Sequence, residues 1–224
     1  MNMNDTHDQQ IRSDRFGLKL FLAVLVATAA VFAWTSSHYQ QHKPENDTWV
    51  DERGKLHVLG IVLGESSLRD AEIALRSRSD VALYIYPAEH PKAGMKLEAF
   101  FPAIADHTQV ILLLDAAPGL LNQMQARATM PHIYPNTVAR SNLAPPDQQL
   151  AQHLKVQELT LLPSTTVTPQ TLTARFGTPG SVTHPTVEET RYTYPAIGLE
   201  ATLSAGEPAQ LHFTNPATSP SGMK

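Results

Sequence analysis

The chain has 224 residues, 21 acidic against 17 basic side chains, a net charge of −4 and no cysteine. The absence of cysteine excludes disulfides, thiolate metal sites, a cysteine nucleophile and a lipoprotein anchor. The first 34 residues hold three acidic and three basic side chains, so the rest keeps the whole acidic excess, a poor match to nucleic acid or anionic lipid, where a basic stripe is the usual footprint.

Residues 1–15 read as a cytoplasmic tail and 16–34 (FGLKLFLAVLVATAAVFAW) as a transmembrane anchor. About 20 residues at 1.5 Å each cross a ~30 Å hydrocarbon core, so this stretch just spans one, with Lys19 near enough to its end to snorkel. A cleaved signal peptide is the competing reading, with small-residue sites at Ala27-Thr28-Ala29 or Val31-Phe32-Ala33. Bulky Phe32 and Trp34 at the would-be cleavage site, and Trp34 and Tyr39 at headgroup depth, favour the anchor. Arg12 and Arg15 precede the segment and Lys19 sits near its N-terminal end, while only Lys43 follows it closely. The expectation is therefore a single-pass inner-membrane protein, N-terminus in the cytoplasm and C-terminal bulk in the periplasm or outside. Residues 35–48 are a polar tether, and 215–224 (NPATSPSGMK) read as a disordered tail.

Between them an order of elements occurs twice, predicting an α+β fold of two tandem units, each a short helix on an antiparallel sheet. The first unit, with a trailing helix, covers 49–130. The apolar run Leu56 to Leu63 opens it as a strand. Ser67 and Asp70 give a capping box, and Leu68, Ala71 and Leu75 fall on one helical face. Tyr84-Ile85-Tyr86-Pro87, Leu97-Glu98-Ala99 and Gln109 to Leu114 follow as strands. Residues 118–130 read as a helix and 131–155 as a linker containing a proline-rich loop. The second unit covers 156–214. Val156 to Leu162 is its strand, Thr168 and Pro169 cap a helix with Leu172 and Phe176 on one face, and Gly177 stops it. Tyr192-Thr193-Tyr194-Pro195, Leu199-Glu200-Ala201 and Gln210 to Phe213 complete it, predicting that Tyr84 matches Tyr192, Tyr86 matches Tyr194 and Glu98 matches Glu200.

Phe176-Gly177-x-Pro179 followed by Arg191-Tyr-x-Tyr and Gly198-Leu199-Glu200-Ala201 resembles the small envelope-lipoprotein family typified by SmpA/BamE, related in fold to tandem β-lactamase-inhibitor-like proteins. The match spans about 55 residues of the second unit. The first unit carries Arg78-Ser79-Asp80 where the glycine–proline turn would be, the lipobox cysteine is missing, and each unit opens with a strand rather than a helix. The resemblance implies binding or assembly at the envelope rather than catalysis.

The chemistry-bearing residues mostly have a bland explanation. His38 and His42 have ligand-like spacing but lie in the tether, no His-Glu-x-x-His exists, and Met130-Pro131-His132 reads as solvated loop. Gly64-Glu65-Ser66-Ser67 lacks the second glycine of a nucleophile elbow and reads as a helix cap. Glu98 and Glu200 read as residues on a solvated strand face. Arg69, Arg76 and Arg78 with Asp70, Glu72 and Asp80 read as an exposed face of weak ion pairs. No catalytic residue, metal ligand or cofactor site is expected. The run Val81 to Tyr86 is apolar on both faces, which makes Tyr84 and Tyr86 the candidates for a partner-binding surface. The expected function is a membrane-anchored, non-enzymatic envelope protein that binds another protein. The rival is a periplasmic ligand-binding or hydrolytic domain using a cleft between the units, lined by Glu98, Glu200, the tyrosines and a loop histidine.

Overall fold

A computed structural model describes Thr28 and residues 48–216 apart from Pro91 and Asp106. The anchor at 16–34, the tether and the tail fall almost wholly outside these residues. Among those described, no helix is long and apolar enough to cross a membrane.

Residues 48–216 belong to one compact unit, an α+β fold built on antiparallel sheets. β1 (Thr48–Val50), β2 (Leu56–Val58) and β3 (Ile61–Val62) form a small three-stranded sheet. The run Leu56 to Leu63 is thus a hairpin and not one strand, because Leu59 (φ 52°) and Gly60 (φ 79°) both take the left-handed conformation that a tight two-residue turn requires. α1 (Leu68–Leu75) follows with its expected capping box and buries Leu68, Ala71 and Leu75. β4 (Asp80–Tyr86), β5 (Gly94–Phe101) and β6 (Gln109–Leu114) form a meander, and α2 is Pro118–Arg127.

The expected linker is structured. β7 (His132–Ile133) and β8 (Ala139–Asn142) form an edge hairpin paired to β4, and α3 spans Pro145–Ala151. Arg127 at the end of α2 donates to both oxygens of buried Asp147 on α3, at 3.0 and 2.6 Å, which clamps the two helices. β9 (Val156–Leu162), α4 (Pro169–Phe176), the short β10 (Ser181–Thr183), β11 (Glu189–Tyr194), β12 (Leu199–Ser204) and β13 (Gln210–Thr214) complete the chain. Thr168 caps α4 as expected, and the Thr171 side chain returns the contact to complete a capping box. Its inward residue is Leu172, 1 % exposed, whereas Phe176 is half-buried at the helix end.

Ten strands join in one antiparallel sheet in the order β10-β11-β12-β13-β9-β6-β5-β4-β8-β7. β9 sits between β13 and β6, so the two meanders run outward from a single shared strand. This corrects the expected superposition of two units. Glu98 and Glu200 point to the same face, and β5 and β12 run in the same direction. Yet β6 and β13 lie on opposite sides of β5 and β12, so the meanders are opposite in hand and no rotation superposes them. Register corrects the tyrosine matching as well. Leu97 stands opposite Leu83, but Leu199 stands opposite Tyr194. Side chains alternate along a strand, so Tyr192 and Tyr194 share the face of Leu83, and Tyr84 and Tyr86 take the other.

One core holds the fold. Leu83, Leu97, Leu112, Leu159, Leu211 and Phe213 on one sheet face pack with Leu68 of α1, Leu121 and Met124 of α2, Ala151 of α3 and Leu172 of α4. The four helices α1–α4 therefore bury residues on the same side. The strand Val81 to Tyr86 gets its cover there through Val81 and Leu83, while Ala82, Tyr84 and Tyr86 belong to the helix-free face.

Candidate functional site on the open sheet face

The helix-free face carries a row of side chains fixed by cross-strand register. Tyr84 stands opposite Lys96, Glu98 opposite Ala82 on one side and Leu113 on the other, Leu113 opposite Glu158, Thr160 opposite His212, and His212 opposite Glu200. At its centre is a hollow of about 200 Å³ with Ile111 and Leu113 on its floor and Lys96, Glu98, Glu158 and His212 around it.

Glu98 is 6 % exposed, so the solvated strand face expected for it is wrong. Alternation does turn it away from the helical core, but neighbouring side chains close over it. The Tyr86 hydroxyl donates to Glu98 Oε1 at 3.0 Å, and Lys92 Nζ lies 3.8 Å from the same oxygen and 5.9 Å over the Tyr86 ring. Burial first, then the Glu98 charge, pushes the Tyr86 hydroxyl well above the usual tyrosine range. Tyr84 stacks 6.2 Å from Tyr86. Burial raises its hydroxyl too, and the Arg140 guanidinium beside it pulls the other way. Arg140 is held in turn by Asp80 at 2.6 Å. Both tyrosines are half-buried and partly open.

On the other side of the hollow, His212 Nδ1 is 3.0 Å from the Thr160 hydroxyl and Nε2 is 3.4 Å from Glu158. Burial lowers the His212 pKa, and the nearby Glu158 charge opposes it. This trio has the connectivity of a hydroxyl–imidazole–carboxylate relay. It lacks an oxyanion hole, because Thr160 lies on a central strand paired on both sides, to Ile111 and to His212, and a ladder strand has its backbone N–H groups engaged in the sheet. Glu98 and Glu200 do share a face but sit four strands apart, roughly 19 Å at 4.8 Å per strand, too far for paired-carboxylate chemistry. Glu200 is instead ion-paired with Arg191 at 3.4 Å.

Sequence reading singled out Tyr84 and Tyr86, named Glu98 only as lining of the rival cleft, and missed His212, Thr160 and Glu158. The local signal was present, since Leu211 and Phe213 flank His212 and Leu159 and Leu161 interleave with Glu158 and Thr160. Their convergence depends on β13 pairing with β9, which no local pattern announces. Other described histidines scatter: His57 stacks on Trp49 at 3.9 Å, His90 lies tilted against Tyr86 at 4.6 Å and His132 meets Tyr134 edge-on at 4.8 Å. Among the described residues no group of three His, Cys, Asp or Glu is placed to hold a metal ion.

No protein-family model matches the chain, and no curated protein or solved structure matches it.

Proposed function

We propose that this chain is a membrane-anchored, non-enzymatic envelope protein that binds another protein through the open face of its ten-stranded sheet. One observation carries the reading. The helices bury their apolar residues on a single face, and the opposite face keeps partly open tyrosines and aliphatics, with a buried carboxylate beneath them. Aromatic side chains around an apolar floor, rimmed by charges, have the composition of a binding hot spot. The hydrophobic segment 16–34 supports the anchor, and the basic flank at Arg12, Arg15 and Lys19 supports a domain on the far side of the membrane. The resemblance of the 176–201 segment to SmpA/BamE-like proteins points to the same class of role. The domain is read as two halves of similar element order joined edge to edge through β9.

The test is site-specific photo-crosslinking from membranes. A photoreactive side chain at Tyr84 or Lys96 gives a discrete adduct with one envelope protein, and the same group at exposed Val187 does not. Replacing Tyr84 and Tyr86 by serine abolishes the adduct from Lys96 at a temperature where circular dichroism shows the variant still folded, although loss of the Tyr86–Glu98 bond lowers its melting temperature. Adducts from every surface position alike, or none from Tyr84 and Lys96, overturn the reading.

The ligand-binding or hydrolytic alternative draws on the Thr160–His212–Glu158 trio beside the central hollow. It ranks second because the strand carrying Thr160 has no free backbone N–H to form an oxyanion hole and Glu98 and Glu200 do not converge. A fluorophosphonate probe that labels Thr160 would reverse the ranking.

A further inference from the structure

A separate hollow of about 910 Å³ opens between α1 and α3. In the sequence its arginines are neighbours of as many acids. Of those acids only Glu72 lines the hollow, and the fold engages all three with other partners. Asp70 accepts from the Ser67 N–H at 2.8 Å and the Ser67 hydroxyl at 2.7 Å as part of the helix cap. Asp80 is engaged by Arg140 at 2.6 Å. Glu72 accepts from the Ser79 N–H and hydroxyl at 3.0 and 2.8 Å, with Arg78 at 3.6 Å. Among the described residues Arg69 and Arg76 form no ion pair. The groove is therefore a cationic site on a chain whose net charge is −4.

Its geometry narrows the occupant. Arg69 and Arg76 are seven residues apart along α1 and its cap, about 10 Å at 1.5 Å per residue. Ile73 lies between them on the same side of the helix, 68 % exposed. Three residues of a polyproline-II chain cover about 9 Å at ~3.1 Å each and return the side chain to the same face. Such a chain has no internal hydrogen bonds, and the opposite wall offers the amide of Gln149, while that of Gln152 already donates to Glu72 at 3.5 Å. We propose that this groove binds an extended acidic segment of another protein, with carboxylates three residues apart on Arg69 and Arg76 and an apolar side chain against Ile73. The site is independent of the open sheet face, so its failure leaves the function proposed above intact.

The experiment titrates the full-length chain with a fluorescein-labelled peptide bearing glutamate at every third position among prolines and leucines. The lysine counterpart and vesicles of phosphatidylcholine with phosphatidylglycerol run alongside. The proposal expects saturable binding of the acidic peptide only, weakened about tenfold or more by Arg69→Gln with Arg76→Gln and by raised salt. Arg69→Lys with Arg76→Lys restores part of it, which separates charge from folding should the glutamine variant melt early. Equal binding of the lysine peptide, or binding indifferent to all the arginine variants, overturns the proposal. Preference for the anionic vesicles over the acidic peptide overturns it as well and makes the groove a lipid contact.

Discussion

The Tyr86 hydroxyl donates to the Glu98 carboxylate across 3.0 Å, joining adjacent strands over the most buried acid of the open face. The bond explains how a glutamate survives 6 % exposure, since a buried polar group costs heavily only when it lacks a partner. It also makes Tyr86 a structural as well as a surface residue.

Removing that donor by Tyr86→Phe leaves Glu98 short of a partner and lowers the unfolding free energy by about 1–3 kcal/mol. The alkaline behaviour tests the same contact. The Tyr86 pKa is raised above the ordinary 10.0 in the folded state, so the stability this implies is complete below about pH 10 and is lost as pH rises above it. Urea titrations between about pH 8 and about pH 11 should show the wild type losing more stability across that range than Tyr86→Phe. Parallel pH slopes for the two proteins would mean that Tyr86 is as free to ionise as in the unfolded chain.

His212 provides an acid-side test. Its folded pKa lies below the ordinary 6.5 because burial disfavours the charged ring. The unfolded chain therefore takes up a proton first, and stability is retained above about pH 6.5 and falls below it, by at most about 1.4 kcal/mol per pH unit for one group. His212→Asn should flatten this part of the curve. NMR titration of the ring that gave a value above 6.5 would show the Glu158 charge outweighing burial.

Helix α4 is held by Leu172 rather than by Phe176. Leu172→Ala should cost about 2–5 kcal/mol, as expected for emptying a closed site. Phe176 packs edge-on to Phe213 and near Tyr194 but stays half-exposed under Arg175, so Phe176→Ala should cost less. Chemical denaturation of the two variants gives the order directly, and a larger loss at Phe176 would contradict the packing described.

Gly198 (φ 55°) lies against the last strand, and a Cβ there would meet the Thr214 carbonyl oxygen at 1.9 Å. Thr214 N–H also donates to Gly198 O at 2.9 Å. Backbone cannot yield as a flexible side chain does, so Gly198→Ala should destabilise by on the order of 3 kcal/mol. A thermal melt within a degree or two of wild type would mean that β13 shifts freely.

Local chemistry was legible in the sequence wherever neighbours along the chain set the outcome. The capping box at Ser67, the N-cap at Thr168, the inward stripe Leu68, Ala71 and Leu75 and the strand at Val81 to Tyr86 all follow from backbone hydrogen bonding and side-chain periodicity. What the sequence left undecided is which strand lies beside which. The apolar runs at 56–63 and 156–162 look alike, yet Leu59 and Gly60 turn the first back on itself and the second becomes the central strand of the sheet. Once β9 accepts β6 on one edge and β13 on the other, the two meanders take opposite hands and His212 meets Thr160. The acids beside Arg69 and Arg76 are drawn off to Ser67, Ser79 and Arg140. Those outcomes depend on contacts between residues tens of positions apart, whose free energy is realised only when the whole sheet closes over one core.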